Sequence, residues 1–252
     1  MFVLEVQSYL FILARITSFI VAVPGFSHRS LPNTSKVALA AILSWVVYLN
    51  MPASPVFEQT LLFMLAVLRE ALIGLSMGFA ARLVFSGIEM AGQFIDFQVG
   101  YTMGAIYDPA TGTASSYYGK LFYWLSIMVF FMLNFHHALL MAVMDSFKVA
   151  AAGQIGFGSL TLTGVLYIFS YAFRIAVCIA APMIIVLLVT DIVMGLLSRT
   201  VPEINVFMLG MPLKALVGLV AFLMMSSALM SSSGQALGLM GGFAVKILEI
   251  FR

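Results

Sequence analysis

Three short patterns could, by residue type and spacing, do chemistry. Gly74-Leu75-Ser76-Met77-Gly78 has the G-x-S-x-G spacing of a serine nucleophile. That motif works only on a strained turn between a strand and a helix, and here it stands inside an unbroken apolar run, so the two glycines read as a face for close helix packing. An intramembrane hydrolase using Ser76 is the competing reading, and it predicts labelling by a serine-reactive probe. His136 and His137 are adjacent, which on a helix aims them about 100° apart and prevents them from closing on one metal ion together; hydrogen bonding at a helix end near Asn134 is expected instead. Asp191, Gly195 and Arg199 share a face at i, i+4 and i+8. An acid in an apolar tract can relay protons, but an ion pair with Arg199 or with a partner is the expectation.

A longer constellation follows helical spacing. Arg82, Ser86, Glu89, Gln93 and Asp96 fall within an arc of about 80° on one helix face, with Val84, Ile88 and Ala91 opposite. Such a stripe is either a solvated face or a polar seam against a partner subunit or a watery lumen. Arg69 and Glu70 lie in the middle of an apolar tract, where a charge costs about 2.5–3.5 kcal/mol on insertion scales and persists only against protein or water. The candidate seam for subunit contact is therefore Arg69, Glu70, Arg82, Glu89, Gln93, Asp96 and Gln98.

The elements that must position these groups follow from composition. The chain has 252 residues, 63% hydrophobic and 9% charged, against about 45–50% and 25% in a soluble domain. That excludes a soluble globular protein and leaves no room for a separate soluble catalytic domain. A formal net charge of +2 is too small for a nucleic-acid-binding stripe. The single cysteine, Cys178, and three histidines offer neither a disulfide framework nor a zinc site, so no cofactor or metal is expected. Glu5 and Arg15 disrupt the pattern of a cleaved signal peptide, making the first tract a retained helix.

Six apolar tracts stand out: Phe2 to Val23, Val37 to Leu49, Leu61 to Phe85, Leu121 to Met144, Leu160 to Val189 and Leu213 to Leu229. None alternates with a period of two, so they read as helices. Pro24-Gly25, Leu31-Pro32, Pro52, Pro55, Asp108-Pro109 and Pro202 punctuate them. Charges in the loops leave the orientation open, since the first loop and the tail are both basic. Between the halves runs a long loop, Phe94 to Lys120, whose part from Phe97 to Gly119 is the least helical region of the chain, with Gly100, Gly104, Asp108-Pro109 and a Thr/Ser/Gly-rich segment. It is either a connector or a lid, the latter being common for long unstructured loops. Most of the 18 methionines are core filler, while Met103 beside this loop is a candidate gate residue. Gly234, Gly238 and Gly242 would give a final helix a packing face.

Ordered along the chain, Arg69-Glu70, Gly78, Arg82-Leu83-Val84-Phe85, Ala91-Gly92, Ile95-Asp96-Phe97-Gln98, Gly100 and Asp108-Pro109 resemble the family of flagellar biosynthetic protein FliR and its virulence-secretion counterparts. So do Asn134 with His136, Asp145-Ser146-Phe147 and, most specifically, the run from Pro202 to Lys214, with Arg15, Pro24 and Pro32 before them. The likeness covers nearly the whole chain; Phe135 and Ala151 stand where the family pattern has Gly and Pro. The resemblance implies an all-α membrane protein of about six apolar tracts arranged as helical hairpins, some kinked or half-spanning, built to pack in a hetero-oligomeric helical pore. It implies one export-gate domain over residues 1–252, with a plug at about 106–120 between two helical halves. The plug and constriction would be carried by Met103, Ile106, Tyr107, Asp108, Pro109, Gly112 and Lys120, and the assembly motif by Asn205, Phe207, Gly210, Pro212 and Lys214.

The same resemblance implies a non-enzymatic subunit of the flagellar type III export gate, in the bacterial inner membrane at the basal body. Its partners would be FliP-like and FliQ-like gate subunits, an FlhB-like switch protein and an FlhA-like export protein, with unfolded flagellar proteins as cargo. The alternative is a secondary transporter with an ion or proton site near the midplane, motivated by Asp191, Arg174 and the broken apolar segments.

Overall fold

The computed structural model describes residues 2–27, 31–50, 57–102, 116–153, 162–201 and 205–250. Among the described residues every regular element is helical: α1 (Phe2–Ala22), α2 (Asn33–Asn50), α3 (Thr60–Val99), α4 (Tyr117–Met132), α5 (Phe135–Val149), α6 (Leu162–Thr200), α7 (Val206–Gly238) and α8 (Met240–Ile250). The chain is thus an all-α membrane protein.

Local chemistry sets the boundaries. Pro24-Gly25 follows α1, with Gly25 at φ 92°, and Pro32 sits just ahead of α2, accepting from the Ser35 amide. At the end of α3, Gly100 takes φ 100°, so the Gly100 and Tyr101 amides both donate back to the Asp96 carbonyl, the usual glycine stop of a helix. The expected single tract Leu121 to Met144 is two helices, α4 and α5, bent by 72°. The cause is Asn134, which takes the left-handed conformation at φ 57°, ψ 23° ahead of α5; asparagine tolerates that region better than most residues.

Other tracts run longer than their apolar cores. α3 has 40 residues and carries the whole polar stripe on its second half. α6 has 39 residues with Pro182 inside it, and α7 starts at Val206 and runs through Pro212. In a long helix, losing one amide donor at a proline is outweighed by the bonds on either side. Gly238 ends α7, so Gly234, Gly238 and Gly242 do not share one helix, and a Cβ at Gly242 would meet nothing within 4 Å. Among the described residues four stretches are long and apolar enough to cross a membrane, five with the bent α4–α5 pair, and α2 is not among them.

The chain divides into two compact units, one of Met1–Val84, Phe131–Phe169 and Gly238–Arg252, the other of Phe85–Phe130 and Ser170–Leu237. In the first, α1 packs on α2 and α5 on α8. α1 also meets α3 at Gly74 and Gly78: a Cβ at Gly74 would overlap the Arg15 carbonyl oxygen, and one at Gly78 would overlap Ala22. The G-x-S-x-G match is therefore a helix crossing, and the Ser76 hydroxyl donates to the Ile73 carbonyl at 2.8 Å. Phe11, Ile16, Phe19, Ile73 and Met77 are buried there. In the second unit, a Cβ at Gly92 would overlap the Tyr118 backbone and one at Gly87 the Ala172 carbonyl, so glycines on α3 admit both α4 and α6.

Candidate functional site

Among the described residues no cluster of His, Cys, Asp or Glu is arranged to hold a metal ion. His136 and His137 have ring centroids 4.3 Å apart at the start of α5, where the His137 amide donates to the Asn134 carbonyl. What the structure does assemble is three polar constellations on apolar helices.

The first lies in the unit containing α1. Arg15 and Glu70 are both fully buried and ion-paired at 2.6 Å, with Arg15 Nε also donating to Glu70 Oε2. Arg15 Nη1 donates to the Ser146 hydroxyl at 3.1 Å, and its guanidinium lies 4.0 Å from the centre of the Phe147 ring. Arg69 is buried next door, 4.0 Å from Glu70 Oε1. Arg15 of α1 and Glu70 of α3 therefore answer each other inside this chain, and Glu70 does not face outward. Each is a lone charge in its apolar surroundings, apart from Arg69, which was the readable signal; which acid matched which base was not.

The second constellation is Asp96, in the other unit. Its carboxylate is buried and sits on the first turn of α4. It accepts a short hydrogen bond from the Ser116 hydroxyl, bonds at 3.1 and 3.2 Å from the Tyr118 amide and a longer one of 3.4 Å from Gly119. Ser116 caps the same turn, accepting from the Gly119 amide at 2.9 Å. A carboxylate at a helix N-terminus meets orphan amides and the positive end of the dipole. Asp96 thus ties the last turn of α3 to the first turn of α4, closing the chain on either side of residues 103–115.

The rest of the stripe behaves differently: Arg82 and Gln93 are exposed, Glu89 is half-buried, and Val84, Ile88 and Ala91 opposite are buried as the spacing requires. Gln98 leaves the stripe and joins a third constellation, donating to Asp191 Oδ2 at 3.0 Å, while Lys214 forms an ion pair with Asp191 Oδ1. The expected pairing of Asp191 with Arg199 is not made; Arg199 is exposed in the last turn of α6, where a cation suits the helix dipole.

Of the plug residues, Met103, Ile106, Tyr107, Asp108, Pro109 and Gly112 lie outside the described residues. Lys120 does not belong to a loop, because Tyr117 begins α4 and Lys120 is exposed in its first turn. The Ser116 cap is the local reason, and it was legible only as one serine in a Ser/Thr-rich stretch. Of the assembly motif, Asn205 accepts from the Met208 amide at 3.3 Å and so caps α7. Phe207 and Gly210 are in its first turns, Pro212 is exposed, and Lys214 is partly buried on Asp191. Beside the tie between Asp96 and Ser116 lies an open apolar groove of about 1230 Å³, with Tyr101, Tyr117 and Tyr118 on one side and Met211, Leu216 and Phe222 on the other.

Residues 6–240 match the sequence family described as bacterial export proteins, family 1. The chain belongs to that family. It is similar to flagellar biosynthetic protein FliR of Bacillus subtilis, 31% identical over 225 residues that cover 88% of this chain and 87% of the relative. FliR of Escherichia coli is 29% identical over 213 residues, covering 84% and 81%. The secretion system apparatus protein SsaT of Salmonella typhimurium is 29% identical over 155 residues, covering 61% and 60%. This export protein is accordingly a membrane-embedded subunit of a flagellar or type III export apparatus. The transporter alternative gains nothing: Asp191 is engaged by Lys214 and Gln98, and Arg174 is exposed on α6.

Proposed function

We propose that this export protein is a structural and gating subunit of the flagellar type III export gate, helping to form a closed pore through which unfolded flagellar proteins pass. It performs no catalysis. It works in the bacterial inner membrane at the basal body, among FliP-like and FliQ-like gate subunits, with an FlhB-like switch protein and an FlhA-like export protein. Residues 1–252 act as one export-gate domain, whose plug is carried by Met103, Ile106, Tyr107, Asp108, Pro109 and Gly112.

The observation that carries the gating reading is the Asp96 tie. A pore for polypeptide must close against ions when idle, and a loop can do that only from fixed anchors. Asp96 and Ser116 supply them on either side of residues 103–115, at the edge of an apolar groove. The large exposed apolar side chains on α6 and α7, such as Ile185, Ile192, Leu216 and Met224, support a chain surrounded by lipid and by other helices. Arg82, Glu89 and Gln93 remain the polar seam offered to a neighbour.

Two experiments test this. Purification of the native complex from membranes, with its subunits identified, should recover the gate partners; a stable lone homo-oligomer that transports a small solute would defeat the reading. Removing residues 106–112, which spares Ser116 and α4, should leave assembly intact and make cells leaky to ions. Unchanged conductance would remove the plug from the proposal.

A further inference from the structure

The buried ion pair does more than balance two charges, because each partner also makes one hydrogen bond to the same short piece of backbone. Arg15 Nη2 donates to the Ala150 carbonyl at 2.9 Å, and Glu70 Oε1 accepts from the Gly153 amide at 3.1 Å. Ala150 is the residue that ends α5, at φ −126° and ψ 95°, and Gly153 takes φ 78°, a conformation that favours glycine. The turn between them is buried at Ala150 and Ala152. The Ala150 amide still closes the last bond of the helix on the Ser146 carbonyl, but the Ala150 carbonyl and the Gly153 amide lie beyond it, and away from water they require partners. The cation meets a carbonyl and the anion meets an amide, so the turn is held at both ends by groups of matching polarity. Ser146 and Phe147, one helical turn earlier on α5, receive the rest of the guanidinium.

We propose that Arg15 and Glu70 form a polarity-specific clamp on the Ala150–Gly153 turn, fixing where the chain leaves α5 relative to α1 and α3. The clamp is independent of the export-gate reading. It makes a prediction that simple charge pairing does not. In Arg15→Glu with Glu70→Arg and with Arg69→Met, which removes the neighbouring cation that would otherwise face a second one, the charges still attract, but an arginine cannot accept from the Gly153 amide and a carboxylate cannot donate to the Ala150 carbonyl. Both backbone groups would then be buried facing a group of their own kind.

The test uses the full chain in native membranes and, purified, in detergent. Glu70→Ala should lower the protease-resistant folded protein roughly tenfold or more, as breaking a buried pair does. The exchanged variant Arg15→Glu with Glu70→Arg, made in an Arg69→Met background, should stay at that low level, while in the unchanged protein deuterium exchange at the Gly153 amide should be as slow as in the middle of α5. Either of two results overturns the proposal: recovery of the folded protein in the exchanged variant, which would leave charge attraction as the whole effect, or fast exchange at Gly153 in the unchanged protein.

Discussion

Replacing Asp96 by alanine tests the anchor on which the gating reading rests. Its carboxylate takes two well-formed hydrogen bonds, from the Ser116 hydroxyl and the Tyr118 amide, and one longer bond from Gly119. A hydrogen bond to a charged acceptor contributes about 1.5–3 kcal/mol, and a carboxylate in the first turn of a helix adds about 0.3–1 kcal/mol. Ser116 continues to cap Gly119, which offsets part of the loss, so Asp96→Ala should cost about 3–4 kcal/mol out of a typical stability of about 5–15 kcal/mol. Asp96→Asn keeps an acceptor and loses the charge, and should cost about 1–2 kcal/mol. The assay is unfolding of the purified chain in mixed micelles at rising SDS. It is followed by the fluorescence of Trp124 on α4, with Trp45→Phe removing the other tryptophan. A double-mutant cycle with Ser116→Ala should return a coupling of about 0.5–3 kcal/mol. Equal destabilisation by Ala and Asn, or no coupling to Ser116, would refute the tie between α3 and α4.

Three further outcomes follow from the packing and the caps. Gly92→Ala drives a Cβ into the Tyr118 backbone, whereas at Gly195 a Cβ meets nothing within 4 Å; the first should destabilise by about 1–3 kcal/mol through overpacking, and the second should be neutral or stabilise by up to about 1 kcal/mol through helix propensity, both read by the same SDS titration. Asn205→Ala removes the cap of α7 and should cost about 1 kcal/mol, with recovery of the native complex falling before the level of the isolated chain does. Lys214→Met leaves Asp191 with Gln98 alone and should lower complex recovery, while Arg199→Met should not, as judged by quantitative pull-down from membranes.

Much of the architecture was legible because the bilayer allows so few solutions. Uninterrupted apolar runs can only be helices, and the glycines of Gly74 to Gly78 could be read as a crossing from spacing alone. Helix ends were less legible. The last apolar tract reads as starting at Leu213, yet α7 starts at Val206 and passes through Pro212, because Asn205 caps it seven residues before the proline. A helix end near Asn134 is readable beside the two histidines, but not the left-handed backbone there that splits one tract into two. The candidate site was legible as residues and not as pairs. Arg15, Glu70, Asp96, Asp191 and Lys214 all stand out among apolar neighbours, but pairing joins positions 55, 20 and 93 residues apart for Arg15 with Glu70, Ser116 with Asp96, and Gln98 with Asp191. Only packing decides such matches.

The 40 residues of α3 have a geometric consequence. At 1.5 Å per residue the rod is about 60 Å long, twice the roughly 30 Å of hydrocarbon in a bilayer, and tilting absorbs only a modest mismatch. A single straight crossing therefore cannot bury all of it in hydrocarbon, and about half of its length, with some of its charges, needs protein or water around it instead of lipid tails.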